Sequence, residues 1–241
     1  MNTRMKTNNV YFGGEITSQL WAELESFTPH MLGKLLRLLS LAKSHNLREQ
    51  DFEDFMDAEI RRRFGWCVAR AVYTAEVAWA LYTVEFLDSL AKLSRLLASK
   101  ATPQVLEVMA GQGTLARPMA DRNIQWTCTD SDPITREVVQ RNALAAISEF
   151  GDESDLLFVS WVPYESTEDL AILNEWVRKR GKPLIIVGEG KGGCTGSRAF
   201  WEELAHFNHC FPAGRYRWFR DVPTWNGMHD QTLAVRKVGS W

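Results

Sequence analysis

The segment Val105-Leu106-Glu107-Val108-Met109-Ala110-Gly111-Gln112-Gly113-Thr114-Leu115-Ala116 constrains this chain more than any other. Pro103 closes the helical pattern before it. A short apolar run then reads as a buried strand, and two glycines one residue apart precede a helix that begins near Thr114. A strand that turns through glycines into a helix gathers backbone N–H groups and the positive helix end at one point. Glycine is required there because a side chain would block close approach of a ligand. Glu107 sits within the strand, where a carboxylate is costly unless it is paired or receives hydrogen bonds. The next candidate strand, Ile124 to Thr129, ends at Asp130. That is close to the offset of roughly 20 residues at which an acid meets a ribose in nucleotide-binding βαβ units.

This arrangement resembles motif I and the acidic motif II of class I S-adenosylmethionine (SAM)-dependent methyltransferases. Their usual pattern is an acidic residue, any residue, then Gly-x-Gly-x-Gly. Glu107 stands at the acidic position, Met109 replaces the first glycine, and Gly111 and Gly113 keep the other two. The alternative is a tight βα turn in another doubly wound fold, since such turns recur widely. The resemblance implies SAM as cofactor, held by Glu107, Gly111 and Gly113 at its methionine end and by Asp130 on the ribose. Met109, Ala110, Ser131, Asn142, Ser160 and Trp161 complete the implied cofactor-binding set.

A chain of 241 residues can bury a substantial core, as one large domain or a domain with an extension. A net charge of −2 lacks the basic footprint of a nucleic-acid binder, so no nucleic-acid substrate is expected. The four cysteines form no Cys-x-x-Cys pair, which points to reduced thiols in a cytoplasmic setting. Met1 to Asn9 is polar and lacks the apolar core of a signal peptide. No apolar run approaches the length of a membrane span. Ten tryptophans suggest aromatic-lined surfaces as well as ordinary core.

From Glu15 to about Ser99 the pattern is helical. Leu20, Leu24 and Phe27 share one stripe; Met31, Leu35, Leu38, Leu39 and Ala42 form another; Phe52, Phe55, Met56 and Ile60 continue the spacing. Breaks at Thr28-Pro29, at Ser44-His45-Asn46 and near Gly65 divide the region into four helices. The last, Trp66 to roughly Leu97, is apolar on more than one face and is expected to tie the helical region to the sheet. Arg61-Arg62-Arg63 reads as a solvated helix end, with an anion patch as the alternative.

After Pro103 short strands alternate with helices, the mark of a parallel sheet with crossover helices. Strands are expected at Val105–Val108, Ile124–Thr129, Asp155–Trp161 and Pro183–Val187, with a helix over Leu170–Arg180. Asp132 to Phe150 allows two readings: one amphipathic helix, or a brief strand near Val138–Arg141 followed by a helix over Leu144–Phe150. In the second, Asn142-Ala143 takes the position where the resembling enzymes hold the adenine ring. Arg217–Val222 and Thr232–Val238 look like the antiparallel pair that closes class I methyltransferase sheets. The expected fold is therefore α/β: a seven-stranded, Rossmann-like SAM-methyltransferase-type sheet over residues 102–241, with a helical extension over residues 1–101.

Ligands in open α/β sheets bind beyond the carboxyl ends of the strands. Three loops converge there: Met109–Thr114, Ser160–Tyr164 and Gly188–Gly196. Trp126, Trp161 and Tyr164 stand near that rim, and a sulfonium is attracted to aromatic faces. Ser160-Trp161-Val162-Pro163-Tyr164 resembles, by position only, the Asp/Asn/Ser-Pro-Pro-Tyr motif of amino-methylating enzymes, making Ser160 and Tyr164 candidate orienters of an acceptor. The glycine-dense loop after the fifth strand lacks the Gly-Lys-Ser/Thr ending of a phosphate-binding loop. It reads as a cap over the cofactor, with Glu189 and Thr195 facing the site, or as an irregular loop whose glycines serve turns only. His229 beside Asp230 is a candidate base. His206, His209 and Cys210 are metal ligands by type, but no second pair at ligand spacing supports a site, and no metal is expected.

The function expected is methyl transfer from SAM to a small-molecule acceptor in small-molecule biosynthesis, with Ser160, Tyr164 and His229 as catalytic candidates. The acceptor is expected between the N-terminal helices and the Ser160–Tyr164 loop, and a homodimer is compatible with the pattern. Two rivals share the fold. In one, SAM reacts at its aminocarboxypropyl arm and releases methylthioadenosine, for which the non-consensus Met109 is a hint. In the other, the chain binds SAM or a partner without turnover.

Overall fold

The computed structural model describes residues 24–62, 65–212 and 217–237. The expectations for Met1–Asn9, Leu20, Arg63 and Val238 lie outside these residues, as do those for the side chains of Arg62, His209 and Cys210. The chain divides into two compact units, Met1–Val77 and Ala78–Trp241.

The described residues of the first unit are mainly helical. Helix α1 (Pro29–Lys43) starts where Thr28 accepts the Met31 N–H and proline occupies the first turn, a position where the missing N–H costs nothing. Its buried stripe, Met31, Leu35, Leu38 and Ala42, is the one read from the periodicity. Helices α2 (Glu49–Phe55), α3 (Ala58–Arg62) and α4 (Gly65–Glu76) follow, contributing Phe52, Phe55, Ile60, Val68 and Tyr73 to the core. Close packing explains one glycine: a Cβ on Gly65 would stand 2.8 Å from Met31 Cε.

The expected single helix from Trp66 to Leu97 is two helices. Helix α4 ends at Glu76, and α5 (Val84–Ala98) belongs to the second unit. Between them Ala80, Leu81 and Tyr82 are buried in a non-helical stretch. Thr83 then caps α5 by accepting the Phe86 N–H at 3.3 Å. The all-round apolar pattern arose from joining two segments that bury different faces.

The second unit is a sheet covered on both sides. Its strands are β1 (Gln104–Val108), β2 (Gln125–Asp130), β3 (Val139–Gln140), β4 (Leu156–Ser160), β5 (Leu184–Gly188), β6 (Asn208–Pro212) and β7 (Gln231–Arg236). They form one seven-stranded sheet in the order β3-β2-β1-β4-β5-β7-β6. Pairing is parallel from β3 through β5, and β7 is antiparallel to both β5 and β6. The helices are α6 (Ala116–Ala120), α7 (Ala143–Phe150), α8 (Asp169–Leu173), continued by a π-helical stretch Asn174–Arg180, and α9 (Arg198–Leu204).

Alternation along the strands sends side chains to two cores. Val105, Phe158, Ile185 and Val187 pack with α5 and α6 through Phe86, Leu90, Leu115 and Met119. Leu106, Val108, Leu157, Val159 and Ile186 pack on the other side with Ile147, Trp176, Phe200 and Leu204. Burial on both faces is why these strands read as continuous apolar runs.

The brief-strand reading of Asp132–Phe150 holds: β3 pairs with β2 through Thr129↔Val139 and Asp130↔Gln140, and α7 follows. The strand expected at Arg217–Val222 is irregular chain instead, and Asn208–Pro212 takes the place beside β7. The buried residues of 217–222, Phe219 and Val222, are three apart, which a strand of period two cannot bury on one face. The segment's polar groups are tied elsewhere, Arg220 N–H to Ser89 Oγ at 2.9 Å and Asp221 to the Thr232 N–H at 3.1 Å.

Candidate functional site

The winding of the sheet locates the site. From β1 the chain proceeds to β2 and β3 on one side and to β4 and β5 on the other. Ligands in such sheets bind beyond the carboxyl ends of the strands at this switch point. The residues that follow the two central strands are Met109 and Trp161, and both adopt left-handed backbone, with φ of 58° and 52°. Such a conformation costs a non-glycine residue roughly 1–2 kcal/mol and tends to be retained where function holds it.

Met109, Gly111 and Gly113 have φ of 58°, 56° and 69°, so all three positions of the Gly-x-Gly-x-Gly pattern are left-handed. Met109 thus keeps the glycine-like backbone, and its side chain packs against the core on the α7 side. The two glycines serve different ends. A Cβ on Gly113 would stand 2.5 Å from Val138 Cγ2, whereas no protein atom lies within 4 Å of a Cβ on Gly111.

Asp130, at the end of β2, braces this loop. Its Oδ2 accepts the Gly111 N–H at 2.8 Å and its Oδ1 accepts the Asp132 N–H at 2.9 Å. The Ala110 N–H donates to the Thr129 carbonyl at 3.0 Å. A carboxylate offers about four acceptor positions, so Asp130 retains capacity for two further donors.

Glu107 is only 3% exposed. Its Oε2 accepts both the Trp126 indole N–H at 2.6 Å and the Cys128 thiol at 3.1 Å. Burial pushes the carboxyl up to about 7; the two donors oppose that rise, and the Asp130 charge adds to it. Burial and the neighbouring Glu107 push the Cys128 thiol far above its ordinary value, so it stays protonated as a donor. Trp126 also packs on Phe158, with ring centroids 5.2 Å apart.

At the end of β4, the Tyr82 hydroxyl donates to Ser160 Oγ at 2.8 Å. Trp79 stacks on Trp161 with centroids 5.3 Å apart and planes at 22°. Neither Trp79 nor Tyr82 was identified from the sequence, because both lay inside the expected long helix. The available signals were Thr83 with Glu85 as a helix start, and an expected helix longer than globular helices usually run.

The remaining candidates are more scattered. Tyr164 is 44% exposed on the loop after β4. His229 is exposed and lies on the same sheet edge, because β7 is antiparallel and Gln231 pairs with Gly188. It stands two strand spacings from β4, about 10 Å across the sheet. Asn142 caps α7, its side-chain oxygen accepting the Ala145 N–H at 2.8 Å. Ser131 is exposed, and its carbonyl accepts from Gln140 Nε2 at 3.2 Å. Among the described residues no group of three His, Cys, Asp or Glu side chains could hold a metal ion.

The Gly188–Gly196 loop does not present Glu189 and Thr195 to the site as a cap would. Thr195 is 2% exposed, and its hydroxyl accepts the Glu189 N–H at 3.0 Å. The Glu189 carboxylate accepts the Cys194 N–H at 2.6 Å and the His229 N–H at 3.4 Å. The Trp201 indole donates to the Thr195 carbonyl at 2.6 Å. The loop's polar groups are therefore engaged by the loop itself and by His229 and Trp201 beside it.

No protein-family model matches the chain, and no curated protein does. Among solved structures, magnesium protoporphyrin IX methyltransferase (ChlM) from Synechocystis PCC 6803 with bound SAM is 15% identical, covering 63% of this chain and 78% of its own, at a TM-score of 0.42. MtNAS in complex with MTA and tNA is 12% identical, covering 92% of this chain and 96% of its own, at 0.44. The 1,6-didemethyltoxoflavin-N1-methyltransferase of Burkholderia thailandensis, with 1,6-didemethyltoxoflavin and S-adenosylhomocysteine bound, is 15% identical, covering 88% and 91%, at 0.44. These are distant likenesses, and the assignment rests on the sheet. Seven strands in the order β3-β2-β1-β4-β5-β7-β6, with β7 alone reversed, give the chain the Rossmann-like fold of the class I SAM-dependent methyltransferases.

Proposed function

We propose that the protein is a SAM-dependent transferase that methylates a small-molecule acceptor at the switch point between β1 and β4. The observation that carries this reading is the loop after β1. Gly111 is left-handed, its N–H is held by Asp130, and the space a Cβ would enter is clear of protein atoms. That is a backbone kept bare for close approach of a ligand. The residues present fit an adenosyl sulfonium. Asp130 has acceptor capacity for two ribose hydroxyls, and the clear space beside Gly111 admits the methionine arm.

When bound, SAM supplies a methyl group already activated by the sulfonium. The chain's own task is positioning, which accounts for much of the barrier reduction when two reactants are held in line. Ser160, oriented by Tyr82, holds the acceptor atom. Met109 and Trp161 set the backbone around it. Glu107, fixed by Trp126 and Cys128, supplies negative charge near the cationic end of the cofactor as it ionises.

A second reading is favoured by Met109. A thioether side chain at a consensus-glycine position beside the methionine end supports a remodelled site, in which attack falls on the aminocarboxypropyl arm. Incubation with SAM and weighing of the products separates the two. S-adenosylhomocysteine formed only with an acceptor supports methyl transfer; methylthioadenosine formed without one supports the rival.

The direct test of the shared premise is calorimetry with S-adenosylhomocysteine on Gly111→Ala. The added Cβ meets no protein atom, so the variant folds, and affinity is expected to fall at least about tenfold, or 1.4 kcal/mol. Unchanged affinity would remove the basis of the reading.

A further inference from the structure

Beside the glycine loop, the second unit carries an aromatic plate that cofactor binding alone does not account for. Trp79 and Trp161 are stacked nearly parallel, 5.3 Å apart at 22°. Trp161 follows β4 directly in a left-handed conformation, with φ of 52°. Trp79 keeps 44% of its surface accessible although the two residues that follow it, Ala80 and Leu81, are fully buried. The segment that bears Trp79 is held rigidly. Tyr82 stacks on Phe86 at 5.7 Å, Thr83 caps α5, and the Tyr82 hydroxyl reaches Ser160. Bonded to Tyr82, the Ser160 hydroxyl is held in place and keeps capacity for a further hydrogen bond. An indole plate with one oriented hydroxyl at its edge therefore stands at the switch point.

We propose that this plate selects a planar aromatic acceptor, which lies parallel to the Trp79–Trp161 pair and presents a hydroxyl or ring nitrogen to Ser160. The proposal rests on the transferase reading above and narrows it to a substrate class. A flat ring gains from offset stacking beyond the area it buries, which a saturated ring of the same size does not. Trp79 is then a specificity-determining residue, contributed by a stretch that precedes the sheet in the chain.

The test uses the full chain saturated with S-adenosylhomocysteine and three probes: 1-naphthol, its fully saturated decahydro analogue, and choline. 1-Naphthol is expected to bind roughly fivefold tighter than the saturated alcohol, in line with the stacking term. Trp79→Leu should bring the two probes to near equality while leaving S-adenosylhomocysteine affinity unchanged, and Trp79→Tyr should retain most of the preference. Equal binding of both alcohols by the unaltered protein, or tighter binding of choline, overturns the aromatic assignment and leaves the cofactor reading standing. Failure of S-adenosylhomocysteine itself to bind overturns both.

Discussion

Two glycine-rich loops leave the same edge of the sheet, one after β1 and one after β5, and they are built for different ends. In the β5 loop the protein fills the spaces beside Gly188, Gly190, Gly193 and Gly196, and leaves clear that beside the solvent-exposed Gly192. A Cβ on Gly193 would lie 2.3 Å from Glu189 Cβ, and one on Gly188 would lie 2.8 Å from Thr195 Oγ1. Its polar side chains, Thr195 and Glu189, close on its own backbone. In the β1 loop Gly111 faces no protein atom within 4 Å, and the brace comes from another strand, through Asp130. Glycine density therefore marks a tight turn in both cases. Clear space is shared by Gly111 and Gly192; what sets Gly111 apart is the brace from Asp130 and its place at the switch point.

Predictions follow from setting the two loops against each other. The largest concerns the acid beneath the β1 loop. Burial holds the Glu107 carboxyl at about 7, above its usual value of 4.5. The folded state therefore binds this proton more tightly than the unfolded chain does. The stability it contributes is fully present below pH 4.5 and is lost as pH rises through about 7, a change of about 3 kcal/mol. Urea titrations across that window should show the decline, and Glu107→Gln should flatten it. The same ionisation makes S-adenosylhomocysteine affinity rise with pH between 6 and 8 in the unaltered protein only.

Next comes a crossed pair of substitutions. Gly193→Ala is expected to cost about 1–3 kcal/mol of stability through overpacking against Glu189, with ligand affinity retained in the folded fraction. Gly111→Ala should cost only about 1 kcal/mol, for its left-handed backbone, yet lose binding. Were both variants to lose stability and keep affinity, the distinction between the loops would fail.

Met109→Gly sharpens the comparison within the β1 loop. Relief of left-handed strain is offset by lost packing and by the freer unfolded chain, so net stability should move by less than about 1 kcal/mol. Any shift in the ratio of S-adenosylhomocysteine to methylthioadenosine is then a property of the site. The smallest effect is expected for His229→Ala, an exposed side chain whose loss should stay within about 0.5 kcal/mol of neutral by thermal unfolding.

How much was legible depended on how local the signal was. Thr28-Pro29 announced α1 because a cap and a proline act within one turn. The strand–glycine–helix passage at Val105–Ala116 announced the switch-point loop, and Asp130 its brace, because spacing along the chain sets both. Trp79 and Tyr82 were not legible as site residues. An apolar run has no directional content until it is known which face each part buries. The edge strand was misplaced for a related reason: 208–212 and 217–222 both precede β7, which has one free edge, and register beside β7 is decided by pairing across the sheet.

Residues 105–130 by themselves determined the βαβ passage, its left-turning glycines and the acid at the end of β2, since backbone sterics and short-range hydrogen bonds act between neighbours in the chain. Tertiary structure alone decided that Glu107 meets Trp126 and Cys128, that Tyr82 meets Ser160 across 78 positions, and that Thr195 turns inward. Those are contacts between distant segments, and their partners are chosen by packing and by the need to satisfy buried polar groups, which no local pattern encodes.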